Sequence, residues 1–361
     1  MAYLTNLTVE NFRIISHAIL NPSPGFNLVL GPNASGKSSL VEAIYFLGRA
    51  RSFRDTRWQQ VCREGSDYLR VTGRVGSESA PPVQLGVERS EQQTLLRIKG
   101  RNADSAKELL QELPILLVQP ESHRLVEQGP AHRRQFLDWG VFHVEHPFYP
   151  TWQRYRKAWR QRNAALKKRS AVSQLEPWEQ EMDLLATELH RQRKRYIEQL
   201  SPLVLDLGRR LLGVDNLSVR YHRGWHNEET LGVVLKRSRE SDTNFGYTRY
   251  GPHRADLSLY IEDQKAVPRV SRGQQKLLVF SLVLAQAKLL KELEGRKAPV
   301  FLVDDLTAEL DEERVTKIVE HLEASQLQVF ITGTSAELFP TRILDDSAVF
   351  HVKHGEFTAV V

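Results

Sequence analysis

The chain has 361 residues, 41% of them hydrophobic and 26% charged, which is ordinary for a globular protein with room for two or three domains. Its formal net charge of +6 comes from one segment, since residues 131–212 contain 16 Lys and Arg against 9 Asp and Glu, and the remainder contains 34 against 35. No apolar run is long enough to span a bilayer, and the single cysteine, Cys62, excludes a disulfide framework and a cysteine-based zinc site, so we expect a cytoplasmic protein.

The first motif lies between a predicted strand and a predicted helix. Residues 2–15 alternate as a strand does, without the plan of a signal peptide. A second strand is predicted over Phe26–Leu30 and a helix over residues 38–48, and the sequence between them fits the phosphate-loop pattern G-x-x-x-x-G-K-[ST] at every fixed position. The residues expected to contact nucleotide are Gly31, Pro32, Asn33, Ala34, Ser35, Gly36, Lys37, Ser38 and Ser39.

Each residue type in this loop has a physical reason. Glycine lets the backbone turn its N–H groups toward phosphate oxygens, and the N-terminus of the following helix adds a partial positive charge. Lys37 supplies a full charge to the outer phosphates, and the Ser38 hydroxyl can ligate Mg²⁺. The sequence therefore predicts a site for a nucleoside triphosphate with Mg²⁺, in which Lys37 has a catalytic role.

A pair of helices is predicted over residues 131–212. Apolar residues recur at helical spacing on both sides of a polar loop over residues 169–176, so we expect two antiparallel helices that form a short arm. Pro147 and Pro150 are expected to interrupt the first helix. We expect Pro177 in the first turn of the second helix and a bend or restart of that helix at Pro202.

The outer faces of these helices are expected to be basic. Charge runs are usually solvated helix faces, but acidic residues are too few here to balance the cations, which favours contact with the phosphate backbone of DNA. Such contacts carry little sequence preference, and no helix-turn-helix or zinc-finger pattern is present. The predicted DNA-binding residues are Arg160, Lys167, Lys168, Arg193 and Lys194, within a wider basic set of Arg154, Arg156, Lys157, Arg162, Arg169, Arg191 and Arg195.

A second motif precedes a long apolar helix. Ser271, Arg272, Gly273 and Gln274 offer a hydroxyl, backbone N–H groups and a helix N-terminus, all of which suit an anion. The turn resembles the signature motif L-S-G-G-Q of ABC-type ATPases, although it departs from that motif at the first and third positions. In ABC-type proteins the motif covers the γ-phosphate that a second subunit binds. The alternative is an ordinary helix start.

Two adjacent carboxylates follow the next core strand. Val300–Val303 has the composition of a buried strand, and a parallel sheet places ligand chemistry at the carboxyl ends of such strands. Asp304 is predicted to hold Mg²⁺ through water, and Asp305 to orient the attacking water. The alternative is a strand that is followed by an acidic turn.

Downstream residues refine the expected chemistry. Residues 308–311 resemble the D-loop of ABC-type proteins, and residues 327–335 predict another core strand with Thr332 and Thr334 where transporter ATPases keep a histidine. Threonine cannot act as a base near neutral pH, and Asp305 reaches one methylene less far than the glutamate typical of transporters. We therefore expect slow ATP hydrolysis, which suits a switch better than a pump.

Taken in order, these motifs resemble the RecF family of bacterial recombination mediators, which is related to the SMC-type ATPases. The resemblance extends over nearly the whole chain and includes residues 11–13, 31–38, 51–54, 120–140, 251–254, 271–276 and 304–305. It implies an α/β fold, an ABC-type P-loop ATPase head with an inserted helical arm domain. The expected domains are the N-terminal half of the head over residues 1–130, the arm over 131–212 and the C-terminal half of the head over 213–361.

The resemblance also implies activities and partners. RecF-like proteins bind ATP and Mg²⁺, form an ATP-dependent homodimer, and are expected to be weak, DNA-stimulated ATPases. They bind single-stranded and gapped DNA, and they cooperate with RecR and RecO to load RecA onto strands covered by single-strand-binding protein. These properties would place the chain in recombinational repair, replication restart and the SOS response, with no membrane partner.

Three residues have open assignments. Arg13 either lies near the phosphates, as an arginine does in SMC-type heads, or pairs with a local acid. Gln119 falls near the position of a metal-reaching glutamine of ABC proteins but fits that pattern less well than its neighbour Pro120 fits the RecF pattern. His253 is expected in a hairpin, where a structural role is preferred.

Two other functions compete with this one. A transporter ATPase subunit would need a surface for a membrane partner, for which the basic arm is poorly suited. A P-loop kinase acting on a small molecule would give no role to Ser271 and would not dimerise on ATP.

Overall fold

The computed structural model describes residues 2–77, 81–293, 295–306 and 310–360, without the side chains of Ala2, Ser77, Pro268 and Val360. The chain divides into two compact units, one of Met1–Ser122 with Leu282–Val361 and the other of His123–Ser281. In the described part of the chain, no helix combines the length and apolar character that crossing a membrane requires.

The strands and helices are numbered in chain order. The strands are β1 (Ala2–Phe12), β2 (Ile15–Leu20), β3 (Phe26–Leu30), β4 (Tyr68–Ser77), β5 (Val83–Ser90), β6 (Thr94–Ile98), β7 (Arg101–Asn102), β8 (Ile115–Val118), β9 (Leu217–His222), β10 (Asp256–Ile261), β11 (Gln264–Lys265), β12 (Val300–Val303), β13 (Val329–Gly333), β14 (Ala348–Lys353) and β15 (Glu356–Val360). The helices are α1 (Lys37–Arg49), α2 (Ala106–Glu112), α3 (Arg124–Glu127), α4 (Pro130–Val144), α5 (Phe148–Lys167), α6 (Val172–Leu212), α7 (Leu231–Phe245), α8 (Arg272–Glu292), α9 (Glu312–Ser325) and α10 (Thr341–Asp345).

A mostly parallel sheet organises the first unit. Its strand order is β15-β14-β3-β13-β12-β8, and every neighbouring pair is parallel except β14 with β15. Every residue of β3, β12 and β13 is buried, as expected for strands with near-continuous apolar sequences. Because β13 lies between β3 and β12, the carboxyl ends of these three strands meet at one edge of the sheet.

The second sheet of this unit is antiparallel, in the order β2-β1-β4-β5-β6-β7. Helix α1 contributes residues to a single core that also contains buried side chains of both sheets. Leu4, Phe12 and Val71 come from the antiparallel sheet, and Phe46 of α1 packs its ring edge-on against Phe12 at 5.6 Å. The helix that follows the phosphate loop is therefore fixed by hydrophobic burial on two sides.

The second unit contains the predicted helical pair, with different boundaries. The break at Pro147 is present, but Pro150 lies within the first turn of α5. The expected polar loop is shorter, because α6 begins at Val172 and continues for 41 residues with Pro177 and Pro202 inside it. The helix does not restart at Pro202, so that alternative is wrong. Pro177 is the sixth residue of α6, so the expectation that it lies in the first turn is also wrong.

Buried ion pairs hold the second unit together. Arg162 of α5 is fully buried, and it contacts Glu179 of α6 at 3.1 Å and Asp242 of α7 at 2.8 Å. Because all three side chains are buried, removing one would leave uncompensated charge in the interior. Arg162 therefore belongs to the interior of this unit and not to a basic outer face, which corrects the sequence analysis.

The second unit is wider than the predicted arm of residues 131–212. It also contains β9, α7, β10 and β11, which the sequence analysis assigns to the C-terminal half of the head. The strands form a three-stranded antiparallel sheet in the order β11-β10-β9, and α6 packs against both α7 and β9. Residues 213–281 therefore belong to the same compact unit as the helical pair.

A half-buried histidine in the second unit contacts side chains of α5. His253 follows Pro252 in a short turn rather than a hairpin, with its Nδ1 2.8 Å from the Tyr155 hydroxyl and its Nε2 3.1 Å from the Thr248 carbonyl oxygen. Its ring also stacks on Trp159 at 4.5 Å. Burial and, to a smaller extent, nearby arginines lower the pKa of His253 to about 3, although the hydrogen bond to the Thr248 carbonyl acts in the opposite direction. The ring is therefore a structural element, uncharged at neutral pH.

This histidine should make stability fall with acidification. Between about pH 6.5 and pH 3 the unfolded chain binds a proton at His253 that the folded chain does not, so the free energy of unfolding decreases by up to about 1.4 kcal/mol per pH unit. Above that window the ring is neutral in both states and adds no pH dependence. Urea unfolding of wild type and His253→Asn between about pH 7 and pH 4 should show a shallower pH dependence for the variant.

The matched control is His17→Asn, because His17 is exposed on β2. That variant should follow the wild-type pH dependence. Parallel curves for wild type and His253→Asn would contradict the assignment of a neutral ring.

Candidate functional site

The phosphate loop joins β3 to α1 in a tightly constrained path. A Cβ on Gly31 would lie 2.3 Å from the carbonyl oxygen of Val352, so only glycine fits there. Gly36 has a φ of +117° immediately before the helix, a conformation that side chains rarely adopt. The Gly355 N–H, in the turn between β14 and β15, donates to the Ser35 carbonyl at 2.8 Å. The loop is thus held against the sheet with its concave side open.

The Lys37 ammonium lies against the backbone of this loop. Its Nζ donates to the carbonyl oxygens of Gly31 at 2.7 Å and Pro32 at 2.8 Å. Burial lowers the pKa of the ammonium, and the carboxylates of Asp305 and Asp304 oppose that effect. An anion in the loop could replace these carbonyl contacts and keep the ammonium paired.

Asp304, which follows β12, connects the start of α1 to the end of β13. Its Oδ1 accepts a hydrogen bond from the Ser38 hydroxyl at 2.8 Å and another from the Thr332 hydroxyl at 2.9 Å. Only 4% of the residue is exposed, and burial raises the pKa of its carboxyl, whereas the two hydroxyl hydrogen bonds act in the opposite direction. The predicted neighbours of the metal, Ser38 and Asp304, are therefore in direct contact.

The donor set fits Mg²⁺. A hydroxyl and a carboxylate are hard oxygen ligands, and Mg²⁺ in such sites usually takes one or two of them together with water and substrate phosphates. Among the described residues, no group of three or more His, Cys, Asp and Glu side chains could hold a metal by itself. Ser38 and Asp304 would hold the ion only together with phosphate oxygens and water.

Asp305 lines the same cleft in a strained backbone conformation. Its φ is +55°, and its N–H donates to the Thr332 hydroxyl at 2.7 Å. Asp305, Lys37 and Ser38 are among the residues that surround a cleft of about 440 Å³ over the phosphate loop. Asp305 therefore lies in the same cleft as the lysine and the serine of the phosphate loop.

A second charged cluster adjoins the loop, and only Arg13 in it had an expected role. Arg13 contacts the fully buried Glu42 at 2.7 Å and Asp55 at 2.6 Å, while the Ser52 hydroxyl donates to Glu42 at 2.5 Å. Arg54 lies 3.5 Å from Asp304 and 3.8 Å from Glu42. Two sequence signals pointed to this cluster, the possible pairing of Arg13 with a local acid and the segment of residues 51–54. Glu42 was missed because it lies inside a helix that looks otherwise apolar.

Of the two alternatives for Arg13, the structure shows the pairing with local acids. Its side chain also lines the cleft over the phosphate loop.

Gln119 precedes a short turn in which its backbone N–H donates to the Ser122 hydroxyl at 2.9 Å. Thr334 is exposed, and Thr332 is the threonine that contacts the aspartate pair.

The signature-like turn opens α8 in the second unit. Ser271 and Gln274 bond reciprocally, since the Gln274 N–H donates to the Ser271 hydroxyl at 3.3 Å and the Ser271 N–H donates to the Gln274 side chain at 2.9 Å. Ser271 and Arg272 are exposed, and Gly273 and Gln274 are half-buried. The turn therefore presents its first residues to solvent.

The D-loop segment is described only in part. Ala308 and Glu309 lie outside the described residues, and Asp311 accepts from the Arg314 N–H at 2.9 Å as the N-cap of α9.

The predicted DNA-binding cations do not share one environment. Arg160, Lys167 and Lys168 are exposed and form no ion pair within the described part of the chain, and Lys194 is exposed 3.8 Å from Glu198. Arg193 is fully buried, with its guanidinium 2.7 Å from Asp138 and hydrogen-bonded to the Pro252 carbonyl oxygen. Its assignment to a DNA-binding surface is corrected, because no phosphate can reach it.

The chain is similar in sequence and in fold to known proteins. Residues 3–356 match the RecF/RecN/SMC N terminal domain family. The DNA replication and repair protein RecF of Azotobacter vinelandii is 42% identical over 360 residues and that of Chromohalobacter salexigens is 41% identical over 357, with 98% of each chain covered.

Solved structures extend the similarity to the fold. Two structures, described as the recombination mediator protein RecF with ATP and with ATPrS in the RecFOR pathway, have a TM-score of 0.86 and 26% identity to this chain, with 100% of it and 98% of theirs covered. The SMC head bound to the C-winged helix domain of ScpA has a TM-score of 0.63 at 17% identity and shares the fold alone. The predicted fold, an ABC-type P-loop ATPase head, is confirmed.

The position of Asp305 in the cleft over the phosphate loop predicts a role in hydrolysis more than in nucleotide binding. Asp305→Asn should lower kcat for ATP hydrolysis about a hundredfold, because it removes a carboxylate that orients water, and should change nucleotide affinity less than about threefold. Steady-state ATPase assays and binding of a fluorescent ATP analogue would separate the two effects. Asp311→Asn is the matched control, because Asp311 caps α9. Equal losses of kcat in both variants would contradict the role of Asp305.

Proposed function

Because this chain belongs to the RecF family of DNA replication and repair proteins, we propose that it is an ATP-driven switch that dimerises on nucleotide and closes on DNA. The observation that carries this proposal is the contact of Asp304 with Ser38 and Thr332. This contact brings the phosphate loop together with the carboxyl ends of β12 and β13 in one nucleotide site. A transporter subunit and a small-molecule kinase are not favoured, because relatives over almost the full chain are repair proteins.

Different residues of the chain would have different roles in ATP hydrolysis. Lys37 would pair with the outer phosphates, and Asp305 would hold and orient the attacking water. Mg²⁺, when held by Ser38 and Asp304, would neutralise charge on the phosphate oxygens. Thr332 has no basic nitrogen to assist Asp305, so turnover is expected to be slow, and DNA is expected to stimulate it.

The second half of each site would come from a second copy of the chain. Ser271 and Arg272 are exposed at the N-terminus of α8, a 21-residue helix whose dipole favours an anion. The reciprocal bonds between Ser271 and Gln274 fix this turn before any ligand arrives. In the proposed dimer, the turn of one protomer covers the nucleotide in the phosphate loop of its partner, so ATP stabilises the interface.

DNA would be bound through its phosphates. Arg160, Lys167, Lys168 and Lys194 are exposed on α5, at its C-terminal end or on α6, and such cations bind DNA with little sequence preference. We propose that single-stranded and gapped DNA are the substrates, and that RecR- and RecO-type mediators are the partners in loading RecA. Such a role would place the chain in the cytoplasm, in replication restart and in the SOS response.

Mixing two inactive variants tests the shared site. Lys37→Ala removes the phosphate-loop ammonium, and Ser271→Arg blocks the turn, so each variant alone should lose ATP-dependent dimerisation and about a hundredfold of its ATPase activity. An equimolar mixture rebuilds one intact site, from the loop of one protein and the turn of the other. Light scattering and ATPase assays should show recovery in the mixture. A mixture that stays as inactive as its components would contradict a site shared between protomers.

The salt dependence of DNA binding tests the basic surface. Reversing Arg160, Lys167 and Lys168 to glutamate should reduce the slope of log affinity against log salt by about 0.9 for each DNA phosphate that the variant no longer neutralises. The control reverses Arg209, Arg210 and Arg237, which are equally exposed but paired with acids. An unchanged slope in the first variant would place the DNA-binding surface elsewhere on the protein.

A further inference from the structure

An open pocket in the second unit combines aromatic rings with arginines. Its volume is about 430 Å³, within the usual range for small-ligand sites. The side chains that line it and matter here are His222, His226, Tyr247, Arg249, Tyr250 and Arg254. We propose that this aromatic–arginine pocket holds an unpaired nucleotide of single-stranded DNA, an inference that rests on the DNA binding proposed above.

Two loops are locked together to form the pocket. Gly224 has a φ of +100°, and a Cβ there would lie 2.1 Å from the Gly251 carbonyl oxygen. In return, the Gly251 N–H donates to the Gly224 carbonyl at 3.0 Å. The Trp225 indole, only 3% exposed, forms part of the lining and donates its N–H to the Glu229 carbonyl at 3.1 Å. The pocket is preformed, so a ligand would lose little affinity to ordering of the protein.

Aromatic faces line the open side of the pocket. Tyr247 is 40% exposed, and the neighbouring Phe245, whose ring centre is 5.9 Å from that of Tyr247, is 58% exposed. His226 is exposed and Tyr250 is half-buried, with their ring centres 6.0 Å apart at 37°, and the Arg249 guanidinium lies over the Tyr250 ring, 5.5 Å from its centre. Since every nucleobase has a π-face, exposed rings of this kind stack on unpaired bases without sequence preference.

The charge of the pocket favours an anion. No Asp or Glu is among its lining residues. Arg249 is held by the buried Asp242 at 3.2 Å, whereas Arg254 is exposed and makes no ion pair in the part of the chain that the structure describes. The Arg254 guanidinium lies over one face of the Tyr247 ring, 5.6 Å from its centre, so a base stacked on the opposite face would bring its phosphate close to this cation.

Bases and phosphates together identify the ligand class. Paired bases are enclosed in the duplex stack, so they would present phosphates to Arg254 but no face to Tyr247. A peptide could offer a ring to Tyr247 but would leave Arg254 unmatched unless it also carried an acid. An unpaired nucleotide satisfies both residues at once, so the pocket would distinguish a gap from an intact duplex.

The test compares single-stranded and duplex DNA on the full-length protein with ATP. The probes are a short single strand with one aminopurine base and a blunt duplex of the same sequence. Tyr247→Ala and Arg254→Ala should each weaken single-strand binding by about tenfold and abolish the change in aminopurine fluorescence, while duplex binding stays within about twofold. Tyr247→Phe, which keeps the ring, should bind as wild type does.

The control is Arg220→Ala, because Arg220 also lies over a tyrosine ring, that of Tyr260 at 4.1 Å, but outside the pocket. It should leave both affinities unchanged. An iodouracil-substituted strand should crosslink to Tyr247, Tyr250 or His226, as identified by mass spectrometry.

Three results would overturn the inference, and one of them separates it from the proposed function. If wild type binds the single strand and both pocket variants bind it equally well, the pocket is no nucleotide site although DNA binding stands. If the variants lose single-strand and duplex binding alike, the residues serve general electrostatics or folding. If wild type binds neither probe, the proposed function fails and the inference fails with it.

Discussion

The Asp304 carboxylate is the contact on which the nucleotide site depends. One oxygen accepts hydrogen bonds from Ser38, which follows β3 at the start of α1, and from Thr332 of β13, while Asp304 itself ends β12. The three residues are far apart in sequence, and they meet only because β13 lies between β3 and β12 in a parallel sheet. Strand order therefore sets the distance between the phosphate loop and the acid that faces it.

A cluster of charged side chains around Glu42 adjoins this contact. Glu42 has no exposed surface, yet it is matched by Arg13, Ser52 and Arg54, so its burial leaves no uncompensated charge. Arg54 is 42% exposed and reaches toward both Glu42 and Asp304. The same cluster thereby joins the second turn of α1, the segment after α1 and the end of β12. Nucleotide would enter beside two cations, Lys37 and Arg54, whose present partners are protein oxygens.

The local motifs could be predicted from the sequence. The ion-pair partners of buried side chains could not, because tertiary packing brings them together. The strands Phe26–Leu30 and Val300–Val303 and the helix after the phosphate loop are confirmed, because their signals lie within a few residues. Arg193 was misplaced although helical phase could have located it, since it lies four residues after Leu189 and three before Tyr196 on the buried stripe of α6. The acids that neutralise it and Arg162 come from distant segments, which no periodicity reveals.

Helix α6 gives the second unit a mechanical property that its contacts alone do not show. Its 41 residues correspond to a rod about 60 Å long. Pro177 and Pro202 each lack the N–H that would bond to the carbonyl four residues earlier, but the rod continues through both positions. A tilt of about ten degrees at one end of such a rod displaces the other end by about 10 Å. Wherever the rod moves as one body, a small rotation at one end becomes a large movement at the other.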